Sequence, residues 1–365
     1  MKVVCFIATL SGGGAERQLL LLASLLKSRG HEISIATFGD VPDHYSIPNG
    51  INRVHIARDR SRVRKIAAIC RYFLSVKTDA VICFGQRESS LALIPLLFRR
   101  KIKAIAGERN LTTTKRSMYE RLLSFGLYRR ANWIVPNSYS QNRYLSNRYP
   151  YLGSKIKTII NYTDIEKLLP DFSISNGDNI KIGIFSRFVP QKNCLNFIKC
   201  LDKVKKAIGE GVQIHWYGNS RQKGQEDYVK QVFSLIDNLN LGDIFVIHPP
   251  VKNVAEVMKS LDAICLPSLS EGFSNAISEA ICLGKPMLAS DVSDNSLLIH
   301  HSENGYLFNP HDIDDISNKI ISFCQLPLKN RQIMGHKSRE IAEKLFNKEN
   351  FINSYLNILS NQKVP

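Results

Sequence analysis

From its first residues to about residue 323, the chain alternates short apolar runs with stretches of helical periodicity, and few architectures accept that order. Strand candidates lie at 2–9, 32–38, 52–57, 79–84, 102–107 and 132–136, separated by helical patterns at 14–29, 61–76, 88–98, 115–130 and 139–147. Periodicity fades across "KTIINYTDIEKLLPDFSISNGDN" (157–179) and resumes at "IKIGIFSRF". Strands are then expected at 212–217, 244–247, 262–266 and 286–289, with helices near 193–206, 223–237, 253–260, 275–283 and 312–323. This is the doubly wound α/β signature, written twice. A chain of 365 residues is too long for one compact core. We therefore expect two Rossmann-like domains, 1–165 and 180–345, joined by a linker at 166–179. The last helices, about 328–345 and 347–360, are expected to return toward the first domain, and 346–365 is set apart as a C-terminal helix packing back on it.

The remaining bulk features narrow the class. Eight cysteines contain no CxxC and sit in apolar runs such as "VVCFIA" and "DAICLP", which suits buried thiols in a reducing compartment rather than a metal cage. The longest apolar stretches, "LLLLASLL" and "LALIPLLF", fall far short of the roughly 20 residues of a membrane-spanning helix. Neither export nor a membrane span is expected. Charge is strongly asymmetric: residues 1–165 hold 27 Lys and Arg against 10 Asp and Glu, while the rest hold 22 of each, so the net +17 lies wholly in the first half. Its clusters are Arg58–Lys65, Arg99–Lys103 and "KRSMYERLLSFGLYRR" (115–130), where Met118, Leu122 and Phe125 share one helical side although Gly126 weakens the helix. Such a domain suits an anionic membrane surface. Nucleic acid is the rival partner and a merely solvated basic face the plain one; no zinc-finger spacing or RNP-like aromatic motif supports the former.

Ligands of doubly wound sheets bind beyond the carboxyl ends of the strands, and three motifs fall there. "SGGGAERQ" follows the first strand and opens the first helix, so Gly13 and Gly14 let backbone approach an anion at free helix-start amides, with Glu16 and Arg17 on the first turn. Alone it is equally a plain glycine turn. "GIFSRFVPQKN" runs from a strand into a loop carrying Arg187 and Lys192, two fixed cations that suit a diphosphate, or else two exposed loop cations. "LPSLSEGFSNAISEA" leads from a strand into a helix beginning near Ser274 or Asn275. Glu271 precedes unpaired helix-start amides, and Glu279 lies on the second turn, where a carboxylate can accept bonds from two adjacent hydroxyls. Singly, each glutamate is equally an acidic residue favouring a helix start.

Taken together, "GGGAERQ", "RFVPQKN", "NYTD", "SLSEGFSNAISEAICLGKPMLAS" and "ENGYLF", in this order, resemble the retaining glycosyltransferases of family 4 across nearly the whole chain. The resemblance implies the GT-B fold, two Rossmann-like domains facing a central cleft, with the acceptor on the first domain and a nucleotide sugar on the second. By it, Arg187 and Lys192 hold the donor diphosphate, Glu271 the donor sugar and Glu279 the ribose; Gly272, Phe273, Ser274, Asn275 and Gly218 complete the donor site. Gly13, Gly14, Glu16 and Arg17 meet a phosphate or the acceptor. The family's metal independence fits, since two cations and a helix start can neutralise the leaving diphosphate. The acidic "DIDD" (312–315) opens a late helix and reads as capping rather than as a metal site.

One departure stands out: many members carry a first-domain His where this chain reads "IAGERN", leaving Glu108, Arg109 or Asn110 to replace it, or Arg109 to serve an anionic acceptor. His215 and His248, at second-domain strand ends, are candidates to line the nucleotide site. The expected protein is a cytoplasmic glycosyltransferase at the inner membrane face, using a UDP- or GDP-sugar, no cofactor, and a lipid-linked or other saccharide acceptor in cell-surface glycan synthesis. A nucleotide-sugar epimerase of the same fold and a basic nucleic-acid-binding α/β protein are the alternatives.

Overall fold

The computed structural model describes residues 1–57, 61–109, 126–174, 179–219 and 224–360. The chain divides into two compact units, one comprising Met1–Tyr162 together with the segment from Lys348, the other Thr163–Asn347. Asn110 and the stretch holding Met118, Leu122 and Phe125 lie outside the described residues.

The first unit contains β1 (Lys2–Phe6), α1 (Gly14–Ser28), β2 (Glu32–Thr37), β3 (Asn52–His55), α2 (Arg62–Ser75), β4 (Ala80–Phe84), α3 (Gln86–Leu96), β5 (Lys103–Glu108), β6 (Trp133–Pro136) and α4 (Tyr139–Arg148). Its six strands are parallel in the order β3-β2-β1-β4-β5-β6. Central β4, "AVICF", is buried at every residue, as a strand covered on both faces must be. The core gathers Phe6, Phe38 and Phe73, with Phe6 centred 5.4 Å from Phe38 and 5.0 Å from Phe73. The sheet order reverses between β1 and β4, so the loops leaving those two strands flank the crevice where such sheets take ligands.

The second unit repeats the plan with β7 (Ile180–Phe185), α5 (Cys194–Ile208), β8 (Val212–Tyr217), α6 (Glu226–Asn238), β9 (Phe245–His248), α7 (Val254–Lys259), β10 (Ala263–Leu266), α8 (Asn275–Cys282), β11 (Met287–Ser290), the short α9 (Asn295–Leu298), β12 (Gly305–Phe308), α10 (Ile313–Cys324) and α11 (Leu328–Leu345). Strand order is β12-β11-β10-β7-β8-β9, all parallel, with the reversal between β7 and β10. Along β8, Val212, Ile214 and Trp216 enter the core while Gln213, His215 and Tyr217 face the other way, half-buried. Lys285 is wholly buried, its Nζ donating to the carbonyls of Lys259 at 2.7 Å and Ser173 at 3.2 Å, and burial lowers its pKa from the ordinary lysine value.

The two last helices part company. α11 stays within the second unit: Ser338 Oγ donates to Lys285 O at 2.8 Å, and His336 stacks on Phe172 at 3.8 Å. The helix α12 (Lys348–Ser360) belongs to the first unit, where Phe351 stacks on Tyr162 at 5.5 Å and Glu349 pairs with Arg29. Its buried Phe351, Ile352, Tyr355, Ile358 and Leu359 represent on the order of 10 kcal/mol of apolar transfer. All eight cysteines are free thiols, six of them buried.

Candidate active site

At the second unit's switch point, β7 feeds a loop whose alternate side chains have opposite fates. Phe188 turns inward and stacks on Trp216 at 4.9 Å, while Arg187 stays exposed with no side-chain partner among the described residues. Trp216 Nε1 also donates to Ser186 O at 2.9 Å. That carbonyl passes so close to Gly218 that an added Cβ would lie 1.9 Å from it, which is why glycine stands there. The loop then makes a 3₁₀ turn over Pro190–Lys192 and enters α5 through Asn193, which is left-handed at φ 58° and donates from Nδ2 to Pro310 O at 2.7 Å.

The loop after β10 is laced to this one. Leu269 N–H donates to Gln191 O at 2.8 Å, Gln191 Nε2 donates to Ser270 O at 2.7 Å, and Lys192 Nζ donates to Glu271 Oε1 at 2.6 Å. Both charged side chains of that ion pair are largely buried, 16% and 12% exposed. Ser293, another left-handed residue (φ 55°), fixes the backbone of Glu271 twice, accepting from its N–H at 3.2 Å and donating to its carbonyl. Gly272 and buried Phe273 lead to Ser274, the N-cap of α8, whose hydroxyl accepts from Ile277 N–H at 3.4 Å. Asn275 begins the helix, and Glu279 lies buried on its second turn. The Lys192–Glu271 pair, the loop that carries exposed Arg187 and the start of α8 thus belong to one switch point, a set of groups able to hold a diphosphate and a hydroxylated group.

Beyond Gly218, the side chains of β8 and β9 form a column. Tyr217 stacks on Phe185 at 4.8 Å and on His248 at 4.4 Å, and His248 Nε2 meets His215 Nδ1 at 2.9 Å. Burial first, then the charge of His248, lowers the pKa of His215.

At the first unit's switch point, Glu16 folds back over Gly13, whose added Cβ would come 2.2 Å from Glu16 Oε2; Thr9 Oγ1 donates to Glu16 Oε1 at 3.5 Å. Gly14 opens α1, and burial pulls the pKa of the half-buried Arg17 below the ordinary arginine value. Across the crevice, Gly85 (φ 124°) lets the chain turn into α3, and buried Glu88 lies over it. Glu88 has its pKa raised, chiefly by desolvation. The replacements considered for the missing His diverge in setting. Glu108 is buried, with Tyr128 OH donating to Oε1 and Gln141 Nε2 to Oε2 at 3.5 Å. Arg109 is half-buried, its guanidinium 3.8 Å from the Phe84 ring centre and donating to Tyr355 OH at 3.0 Å. Ser293, Gln191, Glu88 and Tyr355 have no signature in the sequence; Ser293, Gln191 and Tyr355 act through contacts between distant segments, and Glu88 through its burial over Gly85. In "DIDD", Asp312 caps α10, accepting from Asp314 N at 2.9 Å and Asp315 N at 3.1 Å.

Two doubly wound parallel units with ligand motifs at both switch points define the GT-B class of glycosyltransferases. The fold matches Anabaena Alr3699/HepE, solved in complex with UDP and glucose, at TM-score 0.83 and 19% identity over 99% of both chains. Residues 12–167 match the model of Glycosyltransferase Family 4, and residues 166–341 that of Glycosyl transferases group 1. The chain belongs to the family 4 glycosyltransferases. Among curated relatives, Staphylococcus aureus Protein CapJ is 30% identical over 213 residues, 58% of this chain but only 49% of CapJ, so the matched region spans about half that protein. A Campylobacter jejuni relative is 23% identical over 88% of both chains; it is named as a GalNAc-alpha-(1->4)-GalNAc-alpha-(1->3)-diNAcBac-PP-undecaprenol alpha-1,4-N-acetyl-D-galactosaminyltransferase.

Proposed function

We propose that the protein transfers a sugar, with retention of configuration, from a UDP- or GDP-sugar to a lipid-linked or other saccharide acceptor in cell-surface glycan synthesis. The observation that carries this reading is the Lys192–Glu271 pair held at the second switch point beside Arg187 and the start of α8. In the reaction the sugar C1–O bond to the diphosphate breaks and a bond from C1 to an acceptor oxygen forms. Arg187, Lys192 and the amides beginning α8 neutralise the charge gathering on the diphosphate, without a metal. Glu271 accepts from a donor-sugar hydroxyl and Glu279 from the ribose. No enzymic base is assigned: the acceptor attacks the face the diphosphate leaves, and its proton passes to a phosphate oxygen. The glycine turn before α1, with Glu16 and Arg17, serves the acceptor, and Arg109 faces its anionic part. Support comes from the relative named for an undecaprenol-PP-linked saccharide and the fold neighbour solved with UDP and glucose.

Thermal shift with UDP-, GDP- and ADP-sugars finds the donor, because a ligand binding only the folded state stabilises it. Transfer assays on the parent, Glu271→Ala and Arg187→Ala then test the chemistry. Donor interconversion without acceptor would favour an epimerase; indifference to every nucleotide sugar would remove the proposal. The protein is placed at the inner face of the membrane through its basic first unit, and no described helix is long and apolar enough to cross a bilayer.

A further inference from the structure

The first unit carries an apolar, acid-free face on α2 and the end of α3. Helix α2 turns Ile69 and Phe73 into the core, yet its outer side bears Val63, Ile66 and Leu74, all exposed, with Val63 at 76%. At α3 the same happens near the C-terminus: Ile94, Leu97 and Phe98 are exposed, Phe98 at 81%. The helices pack side by side, and Arg99 fastens their ends, donating to the carbonyls of Val76 at 2.6 Å and Phe73 at 3.3 Å. Leu74 and Phe98 are therefore held at one end of the face, while Val63 lies about 17 Å up α2 at 1.5 Å per residue. Large apolar side chains left singly on a surface are ordinary; six on two adjoining helices are not.

The unpaired charges around them share one sign; Lys65, also on α2, is already matched by Asp40 at 2.5 Å. Arg62, Arg71, Lys77, Arg100 and Lys101 are exposed and have no carboxylate partner among the described residues. Helix α2 contains no acidic residue, and Glu88 of α3 is buried. Asp79, between the helices in sequence, accepts from the Lys2 backbone amide. Not every basic residue of the unit is available: the Arg130 guanidinium is spent on the carbonyls of Leu96, Arg99 and Ile102.

We infer that the outer face of α2 and the end of α3 is where the protein docks on an anionic lipid bilayer, Phe98, Leu97 and Val63 entering the headgroup boundary and the flanking cations meeting lipid phosphates. Apolar side chains ringed by unpaired cations complement that surface, which supplies both a hydrocarbon edge and negative charge. The inference gives a place to the membrane reading made above and rests on it. None of these residues belongs to the proposed donor or acceptor machinery.

The test is co-sedimentation of the full chain with vesicles of phosphatidylcholine alone or with one third phosphatidylglycerol. The parent is expected to bind the anionic vesicles and to be released as salt rises. Phe98→Ser should weaken binding about tenfold, and Arg100→Ser with Lys101→Ser about fivefold per charge removed. Ile333→Ser, at an exposed apolar position of the second unit, should bind like the parent. Recovery of the parent in the supernatant with both lipids overturns the inference, as does unchanged binding of Phe98→Ser or equal loss in Ile333→Ser. A parent dimer in solution that Phe98→Ser splits would assign the face to self-association and overturn it too. Donor thermal shifts on the same samples keep this result separate from the catalytic proposal, since nucleotide-sugar binding needs no vesicle.

Discussion

Glu271 is paired with the cation assigned to the donor diphosphate. Its Oε1 is 2.6 Å from Lys192 Nζ, with the two side chains 12% and 16% exposed. Substituting Glu271→Gln keeps the shape and one hydrogen bond but removes the charge. Both bonds involve the Lys192 ammonium and fall in the range of about 1.5–3 kcal/mol for bonds to a charged group, the ion pair toward its top and the ion–amide bond toward its bottom, so the variant should lose roughly 1 kcal/mol of stability. That corresponds to a fall in Tm of about 2–4 °C for a unit of this size. The bare nucleoside diphosphate no longer has to share Lys192 with a carboxylate, and the same 1 kcal/mol should raise its affinity about fivefold. The nucleotide sugar gains this as well but loses a sugar hydroxyl bond to the carboxylate, about 1.5–3 kcal/mol, and should bind roughly 2- to 30-fold more weakly. Titration calorimetry with UDP and its sugar, or the guanosine pair if that raises Tm, measures both constants. Opposite changes are required. If both ligands weaken by one factor, or neither changes, Glu271 does not stand between the diphosphate and the sugar as assigned.

Other outcomes follow from the same geometry. Arg187→Ala should lower donor affinity at least tenfold with Tm unchanged, because the side chain is exposed and unpartnered among the described residues; a Tm loss above about 2 °C would contradict this. Gly218→Ala forces a Cβ to within 1.9 Å of Ser186 O and should cost about 1–3 kcal/mol in urea unfolding while weakening the donor; parent-like stability would show that the loop yields freely. Burial raises the pKa of Glu88 above the ordinary 4.5, so the folded state keeps a proton that the unfolded chain releases. The stability tied to that proton is fully present below 4.5 and is lost as pH rises through the folded value. Glu88→Gln should therefore show a Tm gain over the parent that is absent at pH 4 and opens toward pH 7; a gap independent of pH would refute the assignment.

Most regular elements were legible because each carries its own period; the four-residue β12 (Gly305–Phe308) and α9 (Asn295–Leu298) are too short to show one and were not expected. The β8 run, the start of α8 at Ser274 and Asn275 and the capping role of Asp312 are all local, and the chain shows them in place. What stayed hidden is non-local. Lys192 and Glu271 stand 79 positions apart, and nothing near either announces a 2.6 Å contact. Glu108 sits where a ligand-facing side chain was anticipated, but Tyr128, 20 residues on, and Gln141, 33 on, meet its carboxylate inside the unit. Periodicity also treated α11 and α12 alike, although Ser338 ties one to the second unit and Phe351 ties the other to Tyr162. The bulk charge pointed to a basic unit without showing which arginines were already committed to helix-end carbonyls, as Arg99 and Arg130 are.

The return of α12 makes the second unit an interruption of the first, and this orders biogenesis. At roughly 5–20 residues per second, a ribosome needs about 10 to 40 seconds to pass from Tyr162 to Lys348. Through that interval the nascent opening sheet lacks the segment that stacks on Tyr162 and the hydroxyl that receives Arg109. The interrupting unit is complete as soon as Asn347 has left the exit tunnel. The portion synthesised earliest is thus the one finished last, and cutting the gene after codon 162 would yield a half with its final side panel missing.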